Sequence, residues 1–148
     1  MKVAVLMGSP NDKEKMAGAR TMLERFGVEV DERVMSAHRN PADVAAFAEA
    51  ARDDGFGAVI CGAGLAAHLA GVVAAHTSLP VIGVPLSGGI AQGLDALLAT
   101  VQMPKGIPVA TVAVDGSANA AILAVQILAV TDKALADKLT EFKAAGSK

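Results

Sequence analysis

The chain has 148 residues and a formal net charge of −2. That length favours one domain around one core, residues 1–148, and the near-neutral charge, with no long basic or acidic run, argues against nucleic acid or an anionic membrane as partner. A single cysteine, Cys61, rules out an internal disulfide and gives no sign of an oxidising compartment.

The predicted elements alternate from the start. Val3 to Met7 reads as a strand, closed by Gly8-Ser9-Pro10-Asn11. Lys13 to Phe26 is a helix with Met16, Ala19, Met22, Leu23 and Phe26 on one face. Asn11 or Asp12 can cap its start, and Gly27 follows its end. Val28 to Met35 mixes apolar and charged residues as an edge strand does. Pro41 to Asp53 is a helix with proline in its first turn. Ala58 to Cys61 is a buried strand, Leu65 to His76 a helix, and Pro80 to Pro85 a strand. Gln92 to Val101 is a helix, and Pro108 to Val114 a strand rich in β-branched residues. Ala118 to Val130 is an alanine-rich helix, and Lys133 to Ala144 a more polar one for the outside.

This repeated β-α pattern predicts a three-layer αβα fold with a parallel, flavodoxin-like sheet of about five strands. Hydrophobic residues make up 53% of the chain and charged ones 19%. Average soluble domains sit near 45–50% with glycine included and near 25% charged. The excess predicts a large core or a covered subunit face, and a homo-oligomer is the expectation. No Asp, Glu, Lys or Arg occurs from Gly55 to Leu94, but His68, His76, Pro80 and Pro85 interrupt that run. It reads as strand, helix, strand rather than as about 20 continuous apolar residues, so no membrane span is expected. No signal-peptide pattern follows Lys2, and the expected location is the cytoplasm.

In open parallel sheets, ligands bind beyond the carboxyl ends of the strands. That rule selects the loops Gly8–Asp12, Ser36–Asn40, Gly62–Leu65 and Leu86–Ala91. In the first, backbone N–H groups and the Ser9 hydroxyl suit an anion. Asp12 would repel a phosphate and suits ribose hydroxyls instead. Taken alone, this loop reads equally as a helix cap. In the second, Arg39 offers a planar fork for phosphate, Ser36 adds a hydroxyl, and His38 is a titrating group suited to proton transfer. In the third, Ala63 and Gly64 are small enough for a flat ring to approach the backbone. His68 lies just inside the predicted helix, either as a core histidine or as part of a pocket.

Several features carry less. Gly62-Ala63-Gly64 lies in the third β-α unit and lacks the third glycine of a dinucleotide fingerprint. His76 sits near a helix C-terminus, and Cys61 reads as a small buried hydrophobe. No zinc spacing or Walker lysine motif is present, so no metal is expected. A phospho-receiver domain would need an acidic acceptor where Cys61-Gly62 stands. A flavin carrier would draw on aromatic stacking, and the chain has no Trp or Tyr and only 4 Phe.

Taken together, the loops become specific. Met7-Gly8-Ser9-Pro10-Asn11-Asp12, Ser36-Ala37-His38-Arg39-Asn40-Pro41 and Gly62-Ala63-Gly64-Leu65-Ala66-Ala67-His68-Leu69 resemble the N5-carboxyaminoimidazole ribonucleotide mutase family. So do the segments Leu79–Pro85 and Val101–Thr111, and the helix that carries Asn119-Ala120-Ala121. The resemblance implies an isomerase of purine biosynthesis that moves a carboxyl group from N5 to C4 of an aminoimidazole ribonucleotide. It further implies a homo-octamer with no metal or organic cofactor. By it, Ser9, Ser36 and Arg39 hold the phosphate and Asp12 the ribose. His38 is the general acid/base, His68 is a second catalytic residue lining the same pocket, and Ala63 and Gly64 bind the substrate. Arg39 and His68 resemble the mutase branch rather than the branch that carboxylates aminoimidazole ribonucleotide directly with carbon dioxide. Leu65 stands where a second glycine is common, Ala70 where a proline is common, and Ser87-Gly88-Gly89-Ile90-Ala91 is atypical. An inactive nucleotide-binding paralogue is the remaining alternative.

Overall fold

The computed structural model describes residues 1–148. Five strands form one parallel sheet: β1 (Lys2–Met7), β2 (Glu29–Val34), β3 (Phe56–Gly64), β4 (Val81–Leu86) and β5 (Ala110–Thr111). Their order is β2-β1-β3-β4-β5, the flavodoxin-like order expected. The helices are α1 (Lys13–Phe26), α2 (Pro41–Ala50), α3 (Leu69–His76), α4 (Leu94–Val101), α5 (Ser117–Ala129) and α6 (Lys133–Ala144). None is long and apolar enough to cross a membrane.

The period-2 alternation of strand side chains divides the core. Val3, Val5 and Met7 of β1 point into a cluster with α1, α5 and α6, where Met16, Leu23, Val125 and Phe142 are buried. Ala4 and Leu6 point the other way, towards Val44 and Phe47 of α2 and Leu69 and Val73 of α3. β1, β3 and β4 are covered on both faces, which is why they are near-continuous apolar runs. β2 lies at the edge, and its Glu-Val-Asp-Glu-Arg-Val sequence reflects that. Helix ends follow local chemistry. Gly27 (φ 74°) closes α1 in the left-handed conformation, and the Asp132 side chain accepts from Leu135 N to start α6.

Several boundaries differ from the sequence expectation, among them the end of α2, which stops at Ala50 rather than Asp53. β3 runs on to Gly64 because Ala63 and Gly64 pair with Pro85 and Leu86 of β4. The chain then turns through Leu65 at φ 53°, so α3 begins at Leu69 rather than Leu65, and His68 sits at its N-cap. β5 is only Ala110–Thr111, although Val112 N still donates to Gly83 O just beyond it. Pro108 has no N–H to extend the ladder on the other side. Helix α4 starts at Leu94 because Gly93 (φ 106°) breaks the path from the preceding turn.

Candidate active site

The carboxyl ends of β1 to β4 open onto one cleft of about 600 Å³. Ser9, Asp12, Ser36, His38, Arg39, Ala63, Gly64 and His68 all line it. Parallel strands explain the convergence: every β→α loop leaves on the same edge of the sheet, so segments as distant as Gly8 and Gly88 meet there.

Both serines are held by their own turns. Ser9 Oγ accepts from Asn11 N at 3.3 Å, and Ser36 Oγ accepts from Arg39 N at 3.2 Å. Each hydroxyl is thus used as an acceptor and keeps its proton free to donate to an anion. The Ser36 loop is closed further by Asn40, whose Oδ1 accepts from Ser36 N at 2.8 Å. The exposed Arg39 guanidinium has no ion-pair or hydrogen-bond partner in the chain. Two hydroxyl donors and a free guanidinium lining one cleft are groups that can hydrogen-bond an anion.

Asp12 is half-buried, and that burial raises its carboxyl pKa above the ordinary value. The Ser9 backbone hydrogen bond and the Lys15 ammonium oppose the rise. A carboxylate so placed is an acceptor for hydroxyl groups rather than a partner for phosphate.

His38 and His68 meet ring to ring. His38 Nε2 lies 2.7 Å from His68 Nδ1, with ring centroids 4.8 Å apart and planes at 81°. Only one hydrogen fits between the facing nitrogens, so one ring donates and the other accepts. This leaves His38 oriented by a hydrogen bond while exposed to the cleft. Gly64 lets β3 run close beside β4: a Cβ there would lie 3.4 Å from Leu86 O.

Cys61 is fully buried, and burial pushes its thiol far above the usual range, so it supplies no nucleophile. His76 is outside the cleft and pairs with Glu49 on the surface. No three His, Cys, Asp or Glu side chains come together as a metal-ligating group. Asn11, Leu65, Ser87 and Gly88 also line the cleft; all four lie in loops the sheet rule selects, although sequence reasoning assigned them no binding role. For Ser87 and Gly88 the signal was present: they directly follow a buried strand in one of the loops the sheet rule selected.

Fold and cleft define an α/β protein with a pocket lined by imidazoles, hydroxyls and a guanidinium across the ends of a flavodoxin-like sheet. The AIR carboxylase family profile matches residues 2–148, and the chain belongs to that family. It is 53% identical over 141 residues to the N5-carboxyaminoimidazole ribonucleotide mutase of Saccharolobus solfataricus, covering 95% of this chain and 89% of that one. Identity to the Brucella melitensis protein of the same name is 50% over 145 residues, covering 97% and 90%. The fold matches the crystal structure of Treponema denticola PurE with a TM-score of 0.89 at 29% identity, over 98% of this chain and 90% of that one.

Proposed function

We propose that residues 1–148 form a single catalytic domain that converts N5-carboxyaminoimidazole ribonucleotide to 4-carboxy-5-aminoimidazole ribonucleotide, with His38 as general acid/base. One observation carries the reading. A single cleft brings a free guanidinium, two hydroxyl donors and a paired imidazole together, in a chain about half identical along its length to mutases.

Arg39, Ser9 and Ser36 hold the phosphate, and Asp12 accepts from the ribose hydroxyls. The ring then lies over Ala63 and Gly64, beside the two histidines. The N5–carboxyl bond breaks, carbon dioxide is released into the cleft, and the amine nitrogen gains a proton from His38. The ring is now an enamine with a nucleophilic C4, which attacks the same carbon dioxide. The new C4–carboxyl bond leaves C4 tetrahedral, and its proton passes to His38 as aromaticity returns. One proton is given and one recovered, so the isomerisation is neutral. Proton transfer of this kind is typically worth 10²–10⁴-fold, and fixing the phosphate positions the ring for both steps. His68 orients His38 through their hydrogen bond.

The active form in this reading is a cytoplasmic homo-octamer. A lone, buried thiol suits a reducing compartment. Leu94, Leu98 and Val101 are each 45–47% exposed on one side of α4, and Ile90 is 75% exposed beside them. Such an apolar stripe suits contact with another copy. A native mass equal to one subunit would remove that assembly.

The test of the reaction is an assay in two arms. One makes the N-carboxylated substrate in situ from aminoimidazole ribonucleotide, ATP and bicarbonate with a separate synthetase. The other supplies aminoimidazole ribonucleotide with high bicarbonate alone. Product in the first arm at low bicarbonate is the expected result. Efficient product in the second arm would make the enzyme a direct carboxylase, and silence in both arms with intact nucleotide binding would mark an inactive paralogue.

A further inference from the structure

The cleft has a wall whose position depends on a residue outside it. Ser87 and Gly88 follow β4, whereas Ser36 to Arg39 follow β2, and β1 and β3 lie between them in the sheet. The Ser87–Gly88 backbone therefore bounds the cleft on the side away from Ser36 and Arg39. It carries almost no side-chain bulk, so the path of the backbone itself sets the shape of that wall.

This backbone is not one the chain adopts unaided. Gly88 (φ 118°), Ala91 (φ 46°), Gln92 (φ 57°) and Gly93 (φ 106°) all lie in the left-handed region. Two of them carry a Cβ and are strained there, and such conformations persist only where the surroundings hold them. The backbone of Ser87 is held at both its peptide groups. Its carbonyl accepts from Lys15 Nζ at 2.6 Å, and its N–H donates to Asp115 Oδ1 at 2.9 Å. Lys15 belongs to α1, 72 residues away in the chain. Its own backbone carbonyl accepts from the buried Ser117 hydroxyl at 2.7 Å, which ties the base of the side chain to the start of α5. Lys15 thus reaches from a fixed point in the helical layer to the rim of the cleft, with its ammonium charge near both Asp12 and Asp115.

We propose that Lys15 is a positioning residue for the carboxyl transfer: it clamps the Ser87 peptide and holds the Ser87–Gly88 wall in the place the reaction needs. The proposal rests on the reaction described above. Phosphate and ribose are held on the other side of the cleft, so loosening this wall leaves binding of the ribonucleotide largely intact. The loss falls on the step in which freed carbon dioxide must stay against C4. The clamp calls for a long cationic donor, because a neutral stem can fill the space but cannot hold a carbonyl.

The experiment uses the full chain with Lys15→Met, which keeps the unbranched stem, and Lys15→Arg, which keeps the charge. Turnover and KM are measured on the N-carboxylated substrate made in situ, and amide hydrogen exchange is followed over residues 87–93. The expected result for Lys15→Met is a fall in kcat of roughly 10- to 100-fold, with KM within about threefold of the parent. Exchange rises over 87–93 and stays unchanged in the sheet. Lys15→Arg recovers most of the turnover. Near-parental kcat in Lys15→Met would overturn the proposal. So would a loss that Arg does not recover, or one in which protection falls across the whole sheet. If the parent protein turns over neither substrate, the reaction itself is wrong. The clamp is then judged by exchange alone: a rise confined to 87–93 supports it, and no change overturns it.

Discussion

Replacing His68 by Leu tests how the two imidazoles share the work. The substitution keeps similar bulk and removes the 2.7 Å hydrogen bond to His38 Nε2. Both rings are exposed, so the folded state loses little: less than about 0.5 kcal/mol, or a melting shift of about 1–2 °C. The catalytic effect is the loss of one orienting hydrogen bond, worth about 0.5–1.5 kcal/mol. At 298 K that is roughly a 2- to 13-fold fall in kcat/KM. His38→Asn removes the proton carrier itself and costs roughly 10²–10⁴-fold. A residue that acts through His38 has nothing left to act on once His38 is gone. The double variant is therefore expected to match His38→Asn, with the shortfall from additivity equal to the His68→Leu effect. The assay is steady-state turnover of the N-carboxylated substrate by all four proteins at one pH. If His68→Leu is as damaging as His38→Asn, or the two effects add, then His68 touches the reacting atoms and the orienting role is wrong.

Arg39→Ala removes the unpartnered guanidinium and, with it, a charge-assisted contact worth about 1.5–3 kcal/mol. Calorimetric affinity for aminoimidazole ribonucleotide is expected to fall roughly 13- to 160-fold; unchanged affinity would move the phosphate site elsewhere. Asp12 has a folded-state pKa raised by burial, against the pull of the Ser9 bond and Lys15. Its ionised form therefore costs stability, and that cost appears as pH rises from the ordinary carboxylate value near 3.8 through the higher folded value. Asp12→Asn is expected to raise the denaturant midpoint at pH 7 relative to the parent, with the gain shrinking at about pH 3–4, while nucleotide affinity falls; a gain that is constant with pH would contradict this origin. At Gly93, φ is 106° and a Cβ would lie 3.1 Å from Ser87 Cα and 3.3 Å from Leu86 O, whereas at Gly55, φ 84°, it would meet nothing. Gly55→Ala should cost only the left-handed penalty, about 1 kcal/mol, and Gly93→Ala about 2 kcal/mol or more. Equal costs by urea denaturation would show that the packing under the Ser87 wall is looser than the distances imply.

Much of the fold was legible because its signals are local. Buried strands such as Val3–Met7 and Val81–Leu86 are continuous apolar runs, and β2 declares its edge position by its charges. Helix α1 announces itself by the spacing of Met16, Ala19, Leu23 and Phe26 and by Gly27 after it. Boundaries were less legible where a neighbour decides them. Nothing local stops a helix from starting at Leu65; β3 is carried past Cys61 to Gly64 by its pairing with β4, and the turn at Leu65 follows from that extension.

The candidate site divides in the same way. Sequence alone determined which loops meet at the cleft, because strand-loop-helix order in a parallel sheet sends them all to one edge. It also singled out Ser9, Asp12, Ser36, His38, Arg39, Ala63, Gly64 and His68, residue types whose charge, hydroxyl, imidazole or small size has a use at such an edge. Tertiary structure alone decided that His38 Nε2 faces His68 Nδ1 across 30 residues, and that Lys15 reaches the Ser87 carbonyl across 72. These contacts depend on the angles at which strands and helices pack. Side-chain reach over a few ångströms is set by that packing, and no pattern of neighbouring residues encodes it.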